Sequence, residues 1–466
     1  MWAVPVIRIV SILKRKPKMG KKISVIGGGL AGIEAAFQIA KRDIEVDLFE
    51  MRPQVKTEAH QTGYCGEMVC SNSLGSCDIT SASGLLKQEL QLMDSFFLRI
   101  AEQNRVPAGN SFSVDRLKLA EQISSEIESI PQINLIRKEI KDIDNIDGVA
   151  IIATGPLTSA DFSNSLSRLT MRKNLFFFDA TSPVIRSDSI NFSKVYRASR
   201  YDKGEADFVN IPLNEEQYQS FVMDLKNAEK VEEKDFEKKH LFESCLPVEE
   251  IAQRGDKALA FGTLKPVGLI NPNTKQMPFA VVQLRQDDLK NNFYQLIGFQ
   301  TRLKQGEQKR IFQKLPGLEK AQFERYGRMH RNTYINAPLV MNSFYQSKTR
   351  ENIFFAGQIC GIEGYVESIS SGFIAGTYAA KKVLGQRLIE LPEFTACGSL
   401  IQYVTRSSWK NFRPTKFTFG LLPDVQEAEI SKKLTGHRKM KKREKKEFKA
   451  SIALQNLKKW MEQSNI

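Results

Sequence analysis

The spacing of apolar and polar positions marks out elements along most of the chain. Lys22-Ile23-Ser24-Val25-Ile26-Gly27 is a short apolar run closed by glycine, which predicts a buried strand. Gly27 to Gly32 is a glycine-rich turn, and Ile33 to Ala40 then carries a helical pattern. Ile44 to Glu50 predicts a second strand that closes on an acid. Gly148 to Gly155 and Asn352 to Gln358 predict two more buried strands, the latter followed by a glycine-rich turn and a helix, Ser368 to Ala380. Phe279 to Leu284 and Tyr294 to Phe299 predict strands of another sheet. The stretch 214–240 is charged and helix-prone, so it predicts a solvated face. Near the end, Ile452, Leu454, Leu457 and Trp460 are spaced as the apolar stripe of a helix whose other face is basic.

The first three elements form a β-α-β unit around Gly27-Gly28-Gly29-Leu30-Ala31-Gly32, a G-x-G-x-x-G pattern in its required context. Such glycines allow a tight turn and let backbone N–H groups approach a pyrophosphate at a helix N-terminus. Glu50, 18 residues past Gly32, is placed to accept hydrogen bonds from ribose hydroxyls. The strands ending at Gly155 and before Gly357-Gln358 return late to this fold, which suits FAD rather than NAD alone. The expected architecture is α/β: a glutathione-reductase-type FAD-binding Rossmann domain, discontinuous over residues 19–200 and 330–400. An inserted α+β domain occupies 201–329, and residues 401–466 form a C-terminal segment with a basic helical tail.

Composition narrows the class. The chain has 466 residues, 41% of them hydrophobic, and 29 Phe, which excludes a mostly disordered protein. No apolar run reaches the ~18 to 20 residues of a membrane-spanning helix. Six cysteines are too few for a disulfide framework and fit a reducing, cytoplasmic setting. The net charge of +15 is unevenly placed. Residues 1–22 carry +7 and residues 431–466 carry +9, which leaves the 408 residues between them at −1. Residues 1–18 run apolar then basic, the reverse of a secretory signal. They read as an extension ahead of Met19, not necessarily native, and starting at Met19 would lower the charge to +10. The basic tail suits a phosphate backbone or another anionic surface; the plainer reading is a solvated helix packed on the body.

Two cysteines stand in polar, turn-like settings, Cys70 in Val69-Cys70-Ser71-Asn72 and Cys245 in Ser244-Cys245-Leu246-Pro247. A thiolate is a strong nucleophile where its pKa is depressed. Cys65, Cys77, Cys360 and Cys397 read as small buried hydrophobes. No C-x-x-C pair occurs, and His60, His240 and His437 lack metal-ligand spacing, so no metal is expected. Arg325 to Thr333 mixes bases, an aromatic and His330. It can grip an anionic or heteroaromatic ligand, or be a charged loop.

A run of collinear motifs goes further. Gly27 to Gly32, Glu50-Met51-Arg52-Pro53, Val69-Cys70-Ser71-Asn72-Ser73-Leu74, Gly84-Leu85-Leu86-Lys87 and Val106-Pro107-Ala108-Gly109 are followed by Ala153-Thr154-Gly155-Pro156. Then come Cys245-Leu246-Pro247, Lys265-Pro266-Val267-Gly268-Leu269, Val282 to Asp287, Met329-His330-Arg331-Asn332-Thr333, Phe355-Ala356-Gly357-Gln358 and Glu363-Gly364-Tyr365-Val366-Glu367-Ser368. Over about residues 20–385 the chain resembles the folate- and FAD-dependent tRNA (uracil-5-)-methyltransferase family. Relatives that modify the wobble uridine share the first motif but lack the Val-Cys-Ser-Asn-Ser and Cys-Leu-Pro segments. The resemblance implies bound FAD, with methylenetetrahydrofolate as carbon donor and NADH or NADPH as reductant. It implies 5-methyluridine as product, usually in the T-loop of tRNA.

Carried over by motif, Cys245 resembles the nucleophile that adds to carbon 6 of uracil, and Cys70 the second catalytic cysteine, which helps remove the proton from carbon 5. Tyr365 resembles an aromatic beside the flavin, and His330 a group that stacks on the pterin. The termini fall outside the common core, so a 23S ribosomal RNA target stays open beside tRNA. Two readings of another class are a small-molecule FAD/NADH oxidoreductase and a non-catalytic RNA-binding protein. Neither a membrane nor an obligate protein partner is indicated.

Overall fold

The computed structural model describes residues 21–171, 175–202, 205–232, 246–425 and 441–466. The extension 1–18, Cys245, residues 233–240 of the charged stretch and residues 431–440 of the tail lie outside them.

The β-α-β unit forms as its pattern dictates: strand Lys22–Ile26, helix Leu30–Ala40 and strand Glu45–Glu50. They build a parallel sheet of five strands in the order Ile353–Phe355, Val149–Ile152, Lys22–Ile26, Glu45–Glu50 and Ile133–Arg137. Val25, Leu48 and Ile151 stand side by side in register and are fully buried, as a sheet covered on both faces requires. The edge strand Ile133–Arg137 escapes a hydropathy reading because only its first residue is buried. The late helix is longer than its pattern, Tyr365–Val383, and lies against Leu30–Ala40. A Cβ on Gly372 would sit 2.2 Å from the carbonyl oxygen of Ala31, and one on Gly376 2.6 Å from that of Ala35. Only glycine lets these two helices come so close.

A second sheet is antiparallel, in the order Tyr196–Arg197, Val209–Leu213, Ala280–Gln286, Phe293–Leu296, Val184–Arg186 and Phe323–Arg325. It has its own core, with Ile211, Leu284, Leu296, Phe221 and Phe312, against helices Glu215–Asn227 and Gln305–Phe312. Two of its strands, Val184–Arg186 and Tyr196–Arg197, precede residue 201. The chain reaches this sheet through strand Leu175–Ala180 and leaves it through Met329–Tyr334, and these two pair antiparallel as a ribbon between the bodies.

The C-terminal helix, Lys442–Ser464, buries Ala450, Ala453, Leu457, Trp460 and Ser464, a stripe at helical spacing. Leu457 and Trp460 fall as expected. Ile452 and Leu454 are only half buried, because the small Ala450 and Ala453 let the helix seat closely. Trp460 Nε1 donates to the Ile389 carbonyl (3.0 Å), and the Lys381 ammonium donates to the Ser464 carbonyl. Among the described residues, no helix is long and apolar enough to cross a membrane.

Candidate active site

The glycine loop shapes a groove at the carboxyl ends of the parallel strands. Gly27 turns the chain at φ +109°, where a Cβ would meet the Ala153 carbonyl oxygen at 2.4 Å. A Cβ on Gly32 would lie 1.8 Å from the Gly27 carbonyl oxygen, so helix and strand meet there without clearance. A Cβ on Gly29 meets nothing within 4 Å, because Gly29 faces open space. These are the three roles a dinucleotide-binding loop asks of its glycines: turn, backbone approach to phosphate, and close packing. The groove is partly open to solvent, with about 1010 Å³ of space between its walls. Gly27, Gly29, Leu30, Ala31, Glu50, Gly155, Gly357 and Gln358 line it, whereas Gly28 and Gly32 do not. The residues present fit a dinucleotide such as FAD.

Glu50 is held more firmly than its sequence position suggests. Its Oε1 accepts from the Arg52 backbone N–H and Nε (both 2.9 Å), and its Oε2 from Gly28 N (3.0 Å) and Arg52 Nη2 (3.2 Å). These contacts fix the orientation of the carboxylate at the wall of the groove. Burial alone pushes the Glu50 carboxyl up, but the Arg52 guanidinium outweighs it and holds the group below its ordinary value. Arg52 also reaches Glu67 Oε2 at 3.2 Å. Sequence reasoning missed Arg52 as an anchor, although it stands within the Glu50-Met51-Arg52-Pro53 motif. His60 lines the same groove and is pushed down to about 4 by burial and by Arg52, so it is neutral at pH 7.

Gln358 and Tyr365 also line a second cavity, open to solvent and with about 1090 Å³ of space between its walls, which is lined by Cys70, Asp179, His330, Asn332 and Glu363. The Tyr365 phenol oxygen accepts from the backbone N–H of Cys70 (2.7 Å) and of Ser71 (3.2 Å). The Cys70 carbonyl accepts from Gln295 Nε2 (2.8 Å), and Gln295 Oε1 accepts from Arg285 Nη2 (2.8 Å). Cys70 is therefore fixed by one residue from each body. Burial lowers Arg285 to about 10, which leaves it charged at pH 7. Nearby, Asp287 accepts from Arg116 Nη2 (2.5 Å) and Arg325 Nη2 (3.0 Å), a buried clamp between the bodies.

His330 is buried on the ribbon strand Met329–Tyr334, opposite Asp179. Burial lowers its pKa, so the ring is neutral. The stretch 325–333 is therefore not a charged loop; it spans the ends of two strands, with Arg331 outward and His330 and Asn332 inward. A third cavity, lined by Arg325, Tyr326 and Arg328, meets the second at Val69 and His330. Cys65, Cys360 and Cys397 are buried as expected, whereas Cys77 is exposed, with Arg105 Nη2 3.7 Å from its sulfur. Cys245 lies outside the described residues. No group of His, Cys, Asp and Glu that could hold a metal occurs among the described residues.

The chain is similar to known proteins in sequence and in fold. The family model described as glucose inhibited division protein A matches residues 22–387. The methylenetetrahydrofolate--tRNA-(uracil-5-)-methyltransferase TrmFO of Natranaerobius thermophilus is 50% identical over 413 residues, covering 89% of this chain and 95% of that one. The protein of the same name from Bacillus cereus is 49% identical over 412 residues, covering 88% and 94%. The solved structure of Aquifex aeolicus GidA (form II crystal) superposes with a TM-score of 0.63 at 17% identity, covering 82% of this chain and 67% of that one, which speaks to the fold. The chain belongs to the glucose inhibited division protein A family and to the TrmFO family.

Proposed function

We propose that this chain is a methylenetetrahydrofolate-dependent tRNA (uracil-5-)-methyltransferase that forms 5-methyluridine in the T-loop, with FAD in the glycine-lined groove and NADH or NADPH as the source of electrons. The observation that carries this reading is that Val69, Pro156, Gln358 and Tyr365 line both that groove and the cavity of Cys70. Gly27, Gly29, Glu50, Gly155 and Gln358 would hold FAD, which would supply redox chemistry beside that cavity. The identity of 46–50% to relatives named for this reaction, over most of their length, supports the same reading.

Each residue has a role. The Cys245 thiolate forms a carbon–sulfur bond at carbon 6 of uracil, which makes carbon 5 nucleophilic. Carbon 5 bonds to the one-carbon unit as its bond to the donor breaks; Cys70 then takes the proton from carbon 5, and departure of Cys245 restores the ring double bond. Tyr365 holds the backbone of Cys70 and lines the cofactor end of the cavity. His330 offers a flat, neutral ring for the pterin to stack on. When bound, reduced FAD supplies the electrons that convert the transferred carbon to a methyl group. The target uridine has to leave its stack, which costs a few kcal/mol. The setting is cytoplasmic.

Incubation with labelled methylenetetrahydrofolate, NADH and either tRNA or ribosomal RNA tests this. The expected result is label in tRNA that digests to 5-methyluridine, lost in Cys245→Ala and in Cys70→Ala. Label in neither RNA overturns the assignment, and label in ribosomal RNA alone moves the substrate.

A further inference from the structure

His330 and Asn332 alternate with the exposed Arg331 along strand Met329–Tyr334, so they share one face. Asp179, opposite His330 on the partner strand, shares it too. That face forms one wall of the cavity that holds Cys70, Tyr365 and Glu363. Asn332 is 1% exposed, yet neither its amide oxygen nor its amide nitrogen has a hydrogen-bond partner among the described residues. His330 Nδ1 is in the same position. An unmatched buried polar group costs about 1–3 kcal/mol, and such groups are rare in folded proteins. Asn332 carries two on one side chain, of opposite polarity, in a wall of the reaction cavity.

We propose that Asn332 recognises the edge of a heteroaromatic ring in which a ring N–H adjoins a carbonyl, its Oδ1 accepting from the N–H and its Nδ2 donating to the carbonyl. A carboxamide offers this acceptor and donor side by side. Uracil and the flavin ring carry that edge with a second carbonyl, and the pterin carries it with one. For a second carbonyl the same cavity has two further donors, His330 Nδ1 in its protonated tautomer and the Glu363 hydroxyl. Glu363 is pushed up to about 8 by burial, so its carboxyl is mostly neutral at pH 7. The Gln358 amide donates to its Oε1 at 2.6 Å, which leaves Oε2 to carry the proton. A buried site built to pair a polar edge discriminates strongly against rings that lack it.

The uracil source rests on the proposed function; the flavin source does not. The test compares wild-type protein with Asn332→Ala and with Asn332→Asp, which keeps shape and acceptor but removes the donor. Three quantities are measured: affinity of the apoprotein for FAD, perturbation of the flavin spectrum by tetrahydrofolate, and KM for an unmodified tRNA transcript. The expected result is that one of the three weakens about tenfold or more in both variants while the others stay within threefold; the one that weakens names the ring. No change in any of the three overturns the proposal. Equal loss of all three with a lowered melting temperature also overturns it, since that marks a packing residue. If wild-type protein binds FAD but methylates no RNA, the proposed function fails, while the FAD arm still decides on Asn332.

Discussion

The Tyr365 phenol oxygen and the Cys70 backbone N–H are 2.7 Å apart and 295 positions apart in sequence. The tyrosine opens the helix Tyr365–Val383, while the cysteine stands just ahead of strand Ser73–Ser76. Removing the hydroxyl in Tyr365→Phe leaves the Cys70 and Ser71 N–H groups without this acceptor, at a cost of about 1–3 kcal/mol. The expected outcome is a drop of at least tenfold in kcat for methylation with FAD affinity within about threefold. Turnover measured beside flavin content, the latter read from the absorbance spectrum, checks this.

Glu363 titrates with a defined sign. Its folded pKa of about 8 lies above the ordinary carboxylate value of 4.5 because of burial, with Asp179 adding to it. The folded state therefore holds its proton where the unfolded chain has lost it. This contribution favours the folded protein at low pH and is lost as pH rises from about 4.5 to 8. Glu363→Gln keeps a neutral donor and removes the titration. The melting temperature of the variant should decline less between pH 5 and 8 than that of wild type, as calorimetry across that range would show.

The C-terminal helix carries its cations at the wrong end for stability. Lys441, Lys442, Arg443, Lys445 and Lys446 crowd its first turns, and its last turn has no basic residue. The helix dipole disfavours that arrangement. Arg443 lies 3.4 Å from Asp78, and Lys446 stands over the Phe419 ring, so these charges sit near the strand Ser73–Ser76 beside the reaction cavity. Reversing the exposed Lys442 and Lys445 to Glu should weaken tRNA binding. It should also lower the slope of log affinity against log salt by about one for each phosphate no longer neutralised. Filter binding across a salt series measures both.

Deleting the whole tail is a poorer probe, because Trp460 is part of the core. Trp460→Ala removes a fully buried indole and its bond to Ile389, and should cost about 3–5 kcal/mol. Denaturant unfolding with the flavin bound would register it as an earlier midpoint.

The sequence showed most plainly what is local. The glycine loop, its helix and the flanking strands follow from neighbouring residues alone. Strand Met329–Tyr334 was obscured because its inward face carries His330 and Asn332, polar groups that hide the alternation a hydropathy reading looks for. The tail stripe departs from its hydropathy pattern at Ile452 and Leu454, because the small Ala450 and Ala453 make the close contact. Glu34 and Glu89, both fully buried, accept N–H bonds at the starts of helices Phe96–Gln103 and Ala396–Arg406. Nothing near them in sequence announces partners more than 60 and 300 positions away.

The glycine contact between helices Leu30–Ala40 and Tyr365–Val383 acts as a fulcrum. Gly372 stands seven residues from Tyr365, roughly 10 Å along the helix axis. A methyl group inserted there would pry the helices apart, and a tilt of about ten degrees would swing the phenol by roughly 2 Å. That displacement exceeds what a hydrogen bond to Cys70 tolerates. This contact between two helices therefore sets the aim of the tyrosine, and a substitution at Gly372, packed against Ala31, would silence the enzyme.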